Sequence, residues 1–108
     1  MNEKWVKQEK RIMRKYGLNP QPFSGAGLLF KEDGENEFVL AQLKCTKGKS
    51  IAIKKQDVLT LIKHSNESHK KPAFFITFMG QFENEITLVC ARPFDLMDVA
   101  QNLKLKGD

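Results

Sequence analysis

The hydrophobic pattern along the chain changes period several times, and each change marks an element. Over residues 38–46 the period is two. Val39, Ala41, Leu43 and Cys45 make one wholly apolar face, while Phe38, Leu40, Gln42, Lys44 and Thr46 make the other, apolar first and then polar. Such a strand is core for most of its length and leaves Gln42 and Lys44 together at its end. A half-buried lysine needs a negative partner or a route to solvent. Lys47, Gly48 and Lys49 follow at once, so the pattern fits a strand end fraying into solvent and fits a functional site.

Before this strand, residues 3–16 carry Trp5, Ile12, Met13 and Tyr16 on one helical stripe, with Gly17 as the stop. At about 100° per residue, Glu9 falls inside that stripe. It is either a carboxylate needing a partner or a stripe-margin residue reaching outward. Lys4, Lys7, Lys10, Arg11, Arg14 and Lys15 cover the rest of the helix. Residues 18–27, with Asn19-Pro20-Gln21-Pro22, read as a loop. Residues 28–31 read as a short strand. Glu32-Asp33-Gly34-Glu35-Asn36-Glu37 reads as an acidic hairpin turn centred on Asp33-Gly34.

After it come a basic turn and a short extended piece over residues 50–53. A helix from Lys54 to about His69 follows, with Val58, Leu61, Ile62 and Ser65 inward and His64 and His69 near its end. Lys70-Lys71-Pro72 ends that helix. Residues 73–79 are nearly all apolar, as in a central strand covered on both faces. A hairpin at 81–85 leads to a strand at 86–91. Asp95 is placed to cap a last helix with Leu96, Ala100 and Leu103 inward and Asp98 near its start. The order is that of a single α/β domain with a mixed sheet, its core spanning about residues 3–103.

Composition narrows the classes. The 108 residues suffice for one modest core. No apolar run approaches a membrane span, and the N-terminal residues lack a signal peptide's apolar stretch, which points to the cytoplasm. Cys45 and Cys90 lie in strands with no Cys or His at ligand spacing, so they read as buried hydrophobes and not as a zinc site or disulfide. The net charge of +5 and pI near 9.3 suggest a polyanionic partner. A basic α/β protein whose partner is another protein is the remaining class.

Three features stand in a telling order: Glu9 on the first helix, Asp33 in the acidic hairpin, and Gln42-x-Lys44 at a strand end nine residues on. With Ser24-Gly25-Ala26 before the hairpin, Thr46-Lys47-Gly48-Lys49-Ser50 after the motif, and Lys70-Lys71-Pro72 before an apolar strand, this resembles the PD-(D/E)XK, or restriction-endonuclease-like, nuclease superfamily. The likeness is to archaeal-type Holliday junction resolvases and small phage endonucleases, over residues 3 to about 92.

The resemblance implies a restriction-endonuclease-like mixed sheet flanked by helices, in a Mg²⁺- or Mn²⁺-dependent DNA endonuclease acting on branched or structured DNA. It implies a homodimer in a bacterial cell or phage-infected host. It implies catalytic roles for Asp33, Gln42, Lys44 and Glu9. Metal ligands would come from Asp33, Glu9, the Gln42 amide and the Leu43 carbonyl. DNA contacts would come from Arg11, Arg14, Ser24, Gly25, Lys47, Lys49, Ser50, Lys54 and Lys55. Gln42 stands where the superfamily's usual motif has an acid; some members so altered remain nucleases, and others only bind DNA. Glu32, Glu35 and Glu37 are alternatives to Asp33 as the ligand.

Overall fold

The computed structural model describes residues 3–21, 32–80 and 84–105. Helix α1 (Glu3–Lys15) is followed by strands β1 (Asn19–Pro20), β2 (Gly34–Glu35) and β3 (Val39–Thr46). Helix α2 (Lys55–Glu67), strands β4 (Lys71–Phe78) and β5 (Ile86–Cys90), a 3₁₀ turn (Pro93–Asp95) and helix α3 (Leu96–Gln101) complete it. The five strands form one mixed sheet in the order β1-β2-β3-β4-β5. β3 and β4 run parallel, from Val39 beside Lys71 to Thr46 beside Phe78, and the other pairs are antiparallel. A parallel pair needs a crossover, and α2 supplies it.

The period-two reading of β3 holds. Val39, Ala41 and Leu43 pack with Ala73 and Phe75 against Ile12, Met13, Leu18 and Val99, so one face of the sheet lies under α1 and α3. The rings of Tyr16 and Phe75 meet at 5.5 Å. On the opposite face Leu40 and Phe74 are buried with Leu61, flanked by Val58 and Ile76 of α2 and β4. Gln42 and Lys44 continue that second face beside Phe74 and Ile76. They lie at its less covered end, because α2 enters only at Lys55.

Gly17 ends α1 as the sequence suggests. At φ 83° it allows Leu18 N–H to reach the Met13 carbonyl (2.9 Å) and Gly17 N–H to reach that of Arg14 (3.1 Å). His69 closes α2 in the same way at φ 58°, with Lys70 N–H on the Ser65 carbonyl at 2.8 Å.

Several expectations are corrected. Asp33-Gly34 is not the hairpin turn: Gly34 and Glu35 are β2, and the chain reverses at Asn36. The Asn36 side-chain oxygen accepts the N–H groups of Phe38 and Val39, both at 2.8 Å. Its amide donates to the carbonyls of Asn102 (2.8 Å) and Gly17 (3.3 Å). Asn19–Pro20, read as loop, is a sheet strand, and as the end strand of the order it gives Pro20 a place without a ladder N–H. Residues 50–53 join no strand, and β4 takes in Lys71 and Pro72.

Asp95 occupies the cap position of α3 but makes no side-chain cap. The 3₁₀ turn runs straight into the helix, and the Asp95 carboxylate instead accepts from Arg92 Nε at 2.7 Å with Lys71 Nζ at 3.5 Å. The inward residue of α3 is Val99, Leu103 packs partly inward just beyond the helix end, and Leu96 and Ala100 are exposed. The strand expected at 28–31 and most of the hairpin at 81–85 lie outside the described residues.

The close approach of α1 to β2 requires the absence of a side chain at residue 34. A Cβ on Gly34 would stand 2.7 Å from the Met13 sulfur and 3.3 Å from the Asn19 carbonyl oxygen. Gly34→Val is therefore expected to lower stability by about 1–3 kcal/mol, read from urea denaturation. An unchanged midpoint would mean that α1 shifts away freely.

Candidate functional site

The site is built where β2 gives out. β2 pairs only Gly34 with Ala41 and Glu35 with Leu40, so β3 runs on past the end of its neighbour. The Leu43 N–H then lacks a strand partner, and the Asp33 carboxylate accepts it at 2.7 Å. The Asp33 main chain is fixed as well: its N–H donates to the Ala41 carbonyl, and its carbonyl accepts from Gln21 N–H, each at 3.0 Å. Asp33 thus sits against the residue that separates Gln42 from Lys44.

Asp33 is therefore held against the short stretch of β3 that carries Gln42, Leu43 and Lys44. Glu9 joins them from α1. Burial pushes the half-buried Glu9 carboxyl above its ordinary range, and the negative charge of Asp33 adds to this while Lys44 opposes it. Asp33 is likewise raised by burial, with the Leu43 N–H and Lys44 pulling back. The Asp33 charge raises the proton affinity of Glu9, and a cation between the two acids would relieve that repulsion.

The four acids of the turn have separate fates. Glu32 is buried and meets His64 Nδ1 of α2 at 2.5 Å. Glu35 accepts from Lys70 Nζ at 2.5 Å, which holds its carboxyl below the usual range. Glu37 is exposed. Only Asp33, of these four, binds β3 beside Lys44. Lys44 Nζ lies 3.4 Å from Asp57 Oδ2 in the first turn of α2.

Sequence reasoning assigned no chemistry to Asp57 or His64, and offered Glu32 only as an alternative to Asp33 as the ligand. An acid in a helix's first turn has a sufficient local explanation in the helix dipole. Nothing short of the β3-α2-β4 crossover ties Asp57 to Lys44 or His64 to Glu32.

The donor set fits a hard divalent cation in kind: two carboxylates, Asp33 and Glu9, with the neutral oxygens of Gln42 and Leu43 nearby. Among the described residues no three His, Cys, Asp or Glu side chains form a ready-made cage. Burial, and then the charges of Glu9, Asp33 and Glu85, push the Cys45 thiol up to about 12, which disfavours the nucleophilic thiolate.

The basic residues divide. Lys47, Lys49, Ser50, Lys54 and Lys55 are exposed on the segment joining β3 to α2 and on its first residue, next in sequence to Lys44. Lys47 Nζ lies 5.7 Å over the Trp5 ring. Arg14 is exposed on α1. Arg11 is already engaged by Glu85 at 2.5 Å and by Gln8 at 2.7 Å. Ser24 and Gly25 lie outside the described residues. A cavity of about 240 Å³ is lined by Gln21, Glu32, Glu35, Leu40, His64, Glu67 and Ser68. Its three carboxylates make it an unfavourable seat for a phosphate.

No protein-family model, curated protein or solved structure matches this chain. No helix among the described residues is long and apolar enough to cross a membrane.

Glu32 gives the site a measurable anchor. Burial raises its carboxyl, and the bond to His64 opposes that rise. Removing the imidazole with His64→Ala leaves a buried carboxylate without that partner, a loss of about 1–3 kcal/mol. A carboxyl with a raised folded pKa carries its full penalty at neutral pH and sheds it as pH falls through that pKa. The loss is thus expected to be larger at pH 7 than at pH 4.5 in urea titrations. An equal loss at both would assign His64 a packing role alone.

Proposed function

We propose that this protein is a small metal-dependent DNA endonuclease of the restriction-endonuclease-like kind, hydrolysing phosphodiester bonds in branched or otherwise structured DNA. The supporting observation is the Asp33 carboxylate on the Leu43 N–H, beside Lys44 and within electrostatic reach of Glu9. The helix, β-meander and parallel crossover through α2 agree with the resemblance in order.

Asp33 and Glu9, helped by the Gln42 amide and the Leu43 carbonyl, would hold Mg²⁺ or Mn²⁺. When bound, such a cation polarises phosphate and acidifies a water molecule. The remaining chemistry falls to this chain's own groups. Lys44 stands at the strand end, able to orient the attacking water and to stabilise charge developing on the phosphoryl oxygens. Lys47, Lys49, Lys54 and Lys55 supply a cationic approach for the DNA backbone, and Ser50 a hydroxyl. Raised carboxyls at Asp33 and Glu9 bind protons more readily, so protons compete with the cation as pH falls. Cutting two strands needs two such sites, which a homodimer provides.

The second reading is a catalytically silent DNA-binding module, and Gln42 is the observation that favours it. An amide brings an oxygen but no charge.

Incubation with a four-way junction, a linear duplex and single-stranded DNA, with Mg²⁺ or Mn²⁺ or with EDTA, separates the two. Lys44→Ala is expected to abolish cleavage while leaving DNA affinity nearly intact. Equal loss of both would make Lys44 a phosphate anchor. Gln42→Glu adds a charged oxygen at nearly the same reach, so calorimetry is expected to show tighter Mg²⁺ binding, with less metal needed for half-maximal cleavage. If neither wild type nor Gln42→Glu binds a divalent cation or cuts any DNA, both readings fail.

A further inference from the structure

We propose that Asp57 is the positioning residue for Lys44, supplying from α2 the negative charge that Gln42 does not supply from β3. The inference rests on the nuclease reading for its consequence in catalysis, and on geometry for the pairing itself.

The ion pair spans 3.4 Å, between side chains that are each about one-third exposed. An ion pair so placed adds little to stability, so its use lies in where it holds the ammonium group. Three carboxylates bear on that group: Asp33 and Glu9 by their charge, and Asp57 by contact. Asp33 and Glu9 are the two suited to hold a divalent cation. Once they do so, the cation's two positive charges offset their two negative ones, and their pull on Lys44 is cancelled. A third carboxylate, outside the metal's ligands, is then needed to keep the ammonium beside the phosphate.

Gln42 shares Lys44's face of β3 but is neutral at any pH. Asp57 carries the charge, and its backbone is secured in the first turn of α2, with its N–H on the Lys54 carbonyl at 3.0 Å. The crossover that makes β3 and β4 parallel is what brings that turn over the end of β3. Glu32 also feels the Asp57 charge, as it feels that of Asp33, so these acids share one electrostatic neighbourhood. His64 faces Glu32 there and not Lys44.

Three variants test this: Asp57→Asn, Asp57→Glu, and Asp57→Asn combined with Gln42→Glu. Asp57→Asn is expected to lower single-turnover cleavage roughly 10²-fold with DNA affinity within about twofold, the loss thus falling on kcat and not on KM. Asp57→Glu is expected to keep most activity. Gln42→Glu is expected to restore most of what Asp57→Asn removes, because it returns a carboxylate to the neighbourhood of Lys44. Wild-type cleavage with Asp57→Asn, loss confined to DNA affinity, or no recovery in the double variant overturns the inference.

A readout independent of activity is the ¹⁵N ammonium resonance of Lys44. It is expected to be protected from rapid proton exchange in wild type and lost in Asp57→Asn, with the fold confirmed by the amide spectrum. A Lys44 signal indifferent to Asp57→Asn overturns the pairing. A wild type that cuts none of the DNAs overturns the nuclease reading and leaves that spectrum to decide the pairing.

Discussion

The Asp33 carboxylate on the Leu43 N–H is the bond on which the site's geometry depends. It ends the pairing of β2 with β3 by replacing a ladder carbonyl with a side-chain oxygen. A buried N–H left unpaired at that point would carry a desolvation penalty of about 1–3 kcal/mol. The same oxygen therefore completes the sheet and fixes an acid beside the polar end of β3. Were β2 two residues longer, the N–H would be met by backbone and the carboxylate would be released to solvent.

Charge compensation around this point is unequal. Glu32 and Glu35 each have a direct partner, in His64 and Lys70. Among the described residues, the cation that bears on Asp33 and Glu9 is Lys44, by its charge, and both carboxyls stay raised. A fold built for stability alone would pair all four or replace them. Asp33 and Glu9 lie near the end of β3 that carries Lys44, a placement that supports the proposed cation site.

Much of this was legible in the sequence, and the failures have physical causes. The β3 alternation located Gln42 and Lys44 on one face because a period of two admits no other arrangement. The α1 stripe located Glu9 for the same reason at helical period. Gly17 announced its cap because only a left-handed residue closes that turn. The hairpin turn was misplaced because Asp-Gly is a local signal, whereas Asn36 turns the chain with help from Gly17 and Asn102, two distant carbonyls. Asp95 was misread as a cap because its competitors, Arg92 and Lys71, include a residue from another strand. Asp57 and His64 escaped notice because their partners, Lys44 and Glu32, are reached only through the crossover. Local geometry is written in spacing, and tertiary pairing is not.

The order of synthesis gives the acidic hairpin a particular history. Most groups that steady its acids lie further along the chain: Leu43 and Lys44 for Asp33, His64 for Glu32, and Lys70, with the earlier Gln21, for Glu35. A nascent chain emerging N-terminus first exposes Glu32, Asp33 and Glu35 as one repelling cluster until the residues that answer them have followed. The last of these borders β4, the central strand whose Phe75 fills the core. Full neutralisation of the hairpin and closure of the core thus await the same segment.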